Sequence, residues 1–241
     1  MSEFARLQEQ LVDCRRCPRL VSWREQVAAK KRAAYAGEEY WARPVPMLGD
    51  HTARLLMIGL APGAHGSNRT GRMFTGDRSG EWLFRALYRA GFANRPVAQH
   101  RGDGLQLLDA AITAIVRCVP PANRPKPVER DTCATWLEQE LDLCGSVRVI
   151  VALGGMAFDQ TLRLGLRRGW EVPRPRPRFG HGVEVEFGSV APVVIGCYHP
   201  SQQNTFTGRL TEPMLDAVFA RASELMAGRA DDTPVSPAAG I

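Results

Sequence analysis

Gly59 to Gly80 reads GLAPGAHGSNRTGRMFTGDRSG. It follows the apolar run Arg54-Leu55-Leu56-Met57-Ile58 and precedes Glu81 to Ala90, where Trp82, Leu83, Leu87 and Tyr88 recur at helical spacing. A short continuous apolar run predicts a buried strand, and the 3.6-residue period predicts an amphipathic helix. The glycine-rich stretch is therefore a loop at the carboxyl end of a strand. From Gly63 to Gly80 it holds five glycines, which permit backbone angles and close approaches that a Cβ forbids. It also holds His65, Asn68, Arg69, Arg72, Phe74 and Asp77, more chemistry than a plain strand-to-helix turn requires. Ligands of open α/β sheets bind outside the carboxyl ends of the strands. This is the candidate active-site loop.

The same rhythm recurs along the chain. Leu108 to Val116 predicts a second strand, delivering Arg117, Cys118 and Asn123 at its carboxyl end, and Val147 to Leu153 a third, which passes Gly154-Gly155 into a helix running through Leu164. Val193 to Tyr198 predicts a fourth, ending at His199-Pro200, and Val183 to Phe187 alternates like a hairpin strand at the sheet margin. Ala42 to Asp50 reads as a connecting loop, and helices are expected over Phe4 to Val12, Trp23 to Tyr40, Thr132 to Leu143 and Glu212 to Ala227. The alternation implies an α/β fold, a three-layer αβα sandwich around a central four-stranded, mainly parallel sheet with right-handed crossovers. The glycine-rich loop, Asn123, Gly154-Gly155 and His199 all follow strands, so they meet along one sheet edge. A carboxylate (Asp77), an amide (Asn123), an imidazole (His199) and an aromatic ring (Phe74) then share one cleft.

The 241 residues, 44% hydrophobic and 23% charged, suffice for one well-buried domain, expected over 1–228, with 229–241 a polar, proline-containing disordered tail. A net charge of +6 and a pI near 9.3 favour a polyanionic partner such as nucleic acid. Arg167, Arg168, Arg174, Arg176 and Arg178 form an extended basic arm suited to phosphates. No apolar run approaches the roughly 20 residues of a membrane span, and the charged amino end is unlike a signal peptide. A cytoplasmic monomer is expected.

Six cysteines in such a chain are not read as a disulfide framework. Cys14 and Cys17 form CRRC, and Cys118 and Cys133 bracket VPPANRPKPVERDT. A structural zinc ribbon usually shows two close pairs, whereas iron–sulfur clusters take four thiolates at varied spacing. A cluster, a zinc ion and unpaired thiols all stay open on spacing. Cys144 and Cys197 lie in apolar contexts and read as small buried hydrophobes.

The segments GLAPGAHGSNRTGRMFTGDRSG, CVPPANRPKP and HPSQQNTFTGRLT, taken with the cysteine positions, resemble the uracil-DNA glycosylase superfamily, specifically its family 5. The resemblance implies a parallel sheet between helices, a [4Fe-4S] cluster on Cys14, Cys17, Cys118 and Cys133, and excision of uracil and related deaminated bases from DNA. Family 4 enzymes share the cysteines but carry glutamate in a GEAPG motif where this chain has Leu60. Asp77 is the obvious replacement carboxylate.

Each role answers a physical need. Phe74 offers a stacking surface for a flipped base, worth typically about 1–3 kcal/mol. Asn123 can accept from uracil N3–H and donate to O4, a pairing that cytosine reverses. His199 suits stabilisation of charge developing at the base O2, and Asp77 suits water or the positive sugar. Ala61, Gly63 and Ala64 leave room and free backbone N–H groups beside the base. Gln202, Gln203, Asn204 and Phe206 are placed to enter the groove the base leaves. His65 and His181, each beside glycine, read as turn residues. A phosphate-binding loop is a poor reading, because the GK[ST] ending is missing. A noncatalytic iron–sulfur nucleic-acid-binding module is the competing class, but it leaves the gathering of Asp77, Asn123 and His199 unexplained.

Overall fold

The computed structural model describes residues 1–189 and 191–228. Among the described residues six strands form one sheet: β1 Leu48–Gly49, β2 Leu55–Gly59, β3 Ala110–Ala114, β4 Val149–Leu153, β5 Glu184–Val185 and β6 Val193–Cys197, in the order β1-β3-β2-β4-β6-β5. The inner four strands are parallel, with Leu55 opposite both Ala110 and Val149, and Val149 opposite Val193. The expected four-stranded sheet thus gains an antiparallel strand at each edge. β5 is the predicted margin strand. β1 spans only two residues of the stretch expected to be a loop, too few to show a period.

Every residue of the four inner strands is buried, so each strand serves two cores. The helices are α1 Glu3–Val12, α2 Pro18–Lys30, α3 Ser67–Thr70, α4 Arg78–Arg89, α5 Pro127–Leu143, α6 Gly155–Arg167, α7 Gln202–Phe206 and α8 Glu212–Gly228. Leu55, Met57, Ile112, Val149, Val151 and Ile195 pack on one face with Leu83 and Leu87 of α4 and Leu215 and Phe219 of α8. Leu56, Ile58, Ala111, Ile150, Ala152 and Val194 pack on the other with Leu137 and Leu141 of α5 and Phe158 and Leu162 of α6. The period-2 alternation of side chains across each strand makes the three layers.

Two helices differ most from expectation, while α4 begins three residues early at Arg78 and α6 runs on to Arg167, the first residue of the expected extended arm. The one expected over Trp23 to Tyr40 begins earlier, at Pro18, and stops at Lys30, because Lys31 turns to φ 47°; a single 3-10 turn, Ala33–Tyr35, follows. α5 begins at Pro127 rather than Thr132. Proline fits a first helical turn, where its missing N–H is no loss, and the Glu129 carboxylate accepts the Lys126 N–H at 2.7 Å. The tail expected over 229–241 lies outside the described residues.

Candidate active site

The loop after β2 folds back on itself through α3. Gly66 opens that turn and Gly71 closes it at φ 70°, with its N–H bonded to the Ser67 carbonyl at 2.9 Å. Ser67 Oγ accepts the Phe74 N–H at 3.0 Å, holding Phe74 at φ 51°, a left-handed angle that non-glycine residues rarely adopt. The Phe74 ring lies against Gly59, where a Cβ would stand 3.1 Å from Cε2, so glycine there makes room for the ring. Gly80 is required for a second reason: its Cβ would meet the Phe74 carbonyl oxygen at 1.7 Å.

The loop and the ends of β3 and β6 enclose a cleft of about 840 Å3. Ala61, Gly63, Ala64, Phe74, Asp77, Asn123 and His199 all line it, as do Gln202 and Gln203. The predicted site residues therefore come together, with two exceptions: Phe206, exposed with the Arg78 guanidinium over its ring, is not among the lining residues, and neither is Asn204. The Asn204 Nδ2 donates to the His199 carbonyl at 2.8 Å. It braces the histidine instead of facing the opening. Ser201 N–H donates to the same carbonyl at 2.8 Å.

Asp77 caps α4, its Oδ1 accepting the Gly80 N–H at 3.0 Å. Its other oxygen, Oδ2, lies against Gly63 and Gly66. Burial raises the Asp77 carboxyl above the ordinary aspartate range, opposed by the Gly80 and Ser79 amides. One oxygen is thus anchored and the other is left to the cleft. The His199 ring sits 5.7 Å from the Phe74 ring, tilted 30°. Burial lowers its pKa to about 4, so at neutral pH it is an uncharged imidazole. Asn123 follows a 3-10 turn, Pro121–Asn123, at φ 54°, and its amide has no hydrogen-bond partner among the described residues. It is exposed at the rim and free to turn toward a base.

His65, read as a turn residue, also lines the cleft, together with Arg32, Tyr35 and Arg78. His65 Nδ1 is 3.0 Å from the Tyr40 hydroxyl, and burial followed by the Arg32 and Arg69 charges lowers its pKa. Its place beside Gly66 in the loop was the available signal. His181 is fixed structurally: Nδ1 accepts the Tyr198 N–H at 3.1 Å and Nε2 lies 3.2 Å from the Met214 carbonyl. The basic arm is less free than its sequence suggests. Arg167 pairs with Glu138 and Arg168 with Asp142, both at 2.5 Å, Arg176 with Asp159 at 3.5 Å, and none of the five arginines lines the cleft.

On the other side of the loop, Cys14, Cys17, Cys118 and Cys133 line one small cavity with Leu20, Val21, Val116 and Trp136. Among the described residues, no three His, Cys, Asp or Glu side chains are spaced to hold a single metal ion. Arg24, 2% exposed, aims Nη1 at Cys118 Sγ (3.0 Å); the Arg117 N–H donates to Cys133 Sγ (3.3 Å) and Arg16 Nε to Cys14 Sγ (3.4 Å). Arg24 Nη1 also reaches the Cys14 carbonyl at 3.3 Å. Burial pushes the Cys118 thiol up to about 11 and the Cys133 thiol up to about 12, so thiolates here call for this guanidinium together with a bound cationic group. The donor set therefore fits a thiolate-bound group. Cys144 and Cys197 are buried, as expected.

The model of the uracil DNA glycosylase superfamily matches residues 46–222. Over 221 residues the chain is 54% identical to the type-5 uracil-DNA glycosylase of Mycobacterium leprae, covering 91% of this chain and 94% of that one. It is 49% identical over 216 residues to the type-5 uracil-DNA glycosylase of Thermus thermophilus, covering 89% and 94%. Similarity to the type-4 uracil-DNA glycosylase of Pyrobaculum aerophilum is lower, 33% over 131 residues, covering 54% and 59%.

Proposed function

Because the chain belongs to the uracil-DNA glycosylase superfamily, in its type-5 group, we propose that the cleft hydrolyses the N-glycosidic bond of uracil in DNA. The observation that carries this is the meeting of Asp77, Phe74, Asn123 and His199 around one opening. The competing reading, a noncatalytic module, leaves that meeting without a purpose.

The uracil leaves the stack and lies on Phe74, with Asn123 bonded to N3–H and O4. The C1′–N1 bond breaks, its electron pair passes into the base, and the neutral His199 ring donates a hydrogen bond to O2 as charge grows there. Asp77 Oδ2 faces the sugar, holds a water for attack on C1′ and takes its proton. Oδ1 stays bound to Gly80, so the carboxylate does not reorganise during the step. The small side chains of Ala61 and Ala64 leave space for larger deaminated or damaged bases.

The four cysteines belong to the same proposal. Cys14, Cys17, Cys118 and Cys133 would hold a [4Fe-4S] cluster, supported by their shared cavity and the N–H donors aimed at three sulfurs. Such a group, when bound, ties the amino-terminal segment to the segment that carries Asn123. The chain acts as a monomer in the cytoplasm, on nucleoid DNA that has suffered deamination, and so opens base excision repair. Incubation with duplex DNA containing one uracil tests the activity: free uracil and an alkali-labile abasic site support it, whereas binding without release supports the noncatalytic module.

A further inference from the structure

The irregular segment between α4 and β3, which no role above absorbs, is built around one carboxylate. Asp103 accepts the backbone N–H groups of Gln99 (2.8 Å), His100 (3.3 Å) and Leu105 (3.0 Å), so the segment wraps its own side chain. The same carboxylate takes both forks of Arg72, at 2.8 and 2.6 Å, with 7% and 8% of the two side chains exposed. Arg72 belongs to the glycine-rich loop, two residues before Phe74. Its Nε donates to Thr75 Oγ1 at 2.8 Å, one residue after Phe74.

Two more bonds join the same stretches. Arg101 Nη2 donates to the Gly71 carbonyl at 2.9 Å, and the Gly76 N–H donates to the Ala98 carbonyl at 2.9 Å. The turn from Gly71 to Gly76 is therefore gripped at both ends and in the middle by residues 98–103. In its centre stands Phe74 at φ 51°, a strained angle that persists only when its surroundings over-determine it.

We propose that the bidentate Arg72–Asp103 pair is a positioning device that fixes the plane of Phe74 for the flipped base. Neither residue lines the cleft, so both act through the phenylalanine. The fork geometry matters: lysine at 72 would keep the charge but lose the second bond to Asp103 and the Nε bond to Thr75 Oγ1. This rests on the stacking role of Phe74 in the proposed reaction.

A double-mutant cycle tests it, read by single-turnover release of uracil well below the melting temperature. Asp103→Asn in the parent is expected to slow release about tenfold to a hundredfold, the scale of a small misplacement of reacting groups. In a Phe74→Leu background the same change is expected to alter the rate less than about twofold, because the surface it positions is gone. Binding to DNA carrying a tetrahydrofuran in place of the nucleoside, which has no base to stack, should stay at the parent level. Arg72→Lys keeps the buried charges balanced and so tests the fork if Asp103→Asn does not fold; it is expected to show the same pattern. Amide hydrogen exchange across 71–76 should quicken in both variants, independently of catalysis. An equal loss of rate in both backgrounds, or parent-like rates and exchange, overturns the positioning role. A parent that releases no uracil while exchange still quickens overturns the proposed reaction instead.

Discussion

Asp77 Oδ2 lies 2.1 Å from the point where a Cβ on Gly66 would stand, and 2.9 Å from the corresponding point on Gly63. The carboxylate is seated in a notch that exists because two glycines lack side chains. Gly66→Ala is therefore expected to displace Asp77 and cut single-turnover excision by about a hundredfold or more. Binding to a tetrahydrofuran-containing duplex should change little. A Gly66→Ala rate within twofold of the parent would show that the seating of Asp77 is not needed.

Asp77 has a structural duty and a chemical one, and two substitutions separate them. Asparagine caps helices about as well as aspartate, whereas alanine costs about 1 kcal/mol. Asp77→Asn should thus keep the parent stability and lose activity, while Asp77→Ala loses both. Burial raises the folded pKa of Asp77 above its unfolded value, so its ionisation works against the fold. That effect is absent below the unfolded pKa and grows as pH rises through the folded one. At pH 7 Asp77→Asn should melt at or above the parent temperature. The working form is the carboxylate, so the parent rate should fall on acidification with a midpoint above the usual aspartate value of about 3.9. His199, at about 4, adds no break near 6.5. Melting curves and pH–rate profiles of the three proteins check this, and a break near 6.5 that persists in Asp77→Asn would contradict the neutral imidazole.

The thiolate site predicts a brown protein with about four irons per chain. Cys118→Ser should lower the melting temperature and the iron content. Arg24→Met, which removes the donor 3.0 Å from Cys118 Sγ, should lower iron retention with the four cysteines intact. Metal analysis decides: one zinc and no iron per chain would contradict the cluster.

Arginine pairing predicts which cations bind phosphate. Arg32 and Arg78 line the cleft, whereas Arg167 and Arg168 are engaged with Glu138 and Asp142. Neutralising Arg32 or Arg78 should reduce the slope of log affinity against log salt by about one each. Arg167→Ala and Arg168→Ala should leave it within about half a unit. Fluorescence anisotropy across a salt series reads both, and the reverse order would move the DNA to the other face.

The parallel core was legible because four apolar runs, each ending in glycine, cysteine or a polar residue, alternate with helical periods. β1 was not, since pairing of Leu48 with Ile112 and Gly49 with Ala111 is a tertiary choice with no local pattern. The convergence of Asp77, Asn123 and His199 followed from strand order alone. Their neighbours did not: the bond between His65 and Tyr40 joins residues 25 apart, and the Arg72–Asp103 pair residues 31 apart. Asn204 was misplaced for a similar reason. In α7, a helical turn after His199 that no periodicity announced, its side chain turns back to the histidine carbonyl.

The division of labour between the two sides of the glycosidic bond is tested most directly by single-turnover excision of uracil and of 5-fluorouracil by the parent, His199→Ala and Asp77→Asn. His199 acts on the departing base, so its loss should slow uracil release far more than release of 5-fluorouracil, whose anion is already stabilised. Asp77 acts on the water and the sugar, which are the same for both bases. Its loss should slow both by a similar factor, about a hundredfold to ten-thousandfold. Parent-like rates for Asp77→Asn on both substrates would contradict the account, leaving His199 and the backbone of the glycine-rich loop to perform the reaction without a carboxylate.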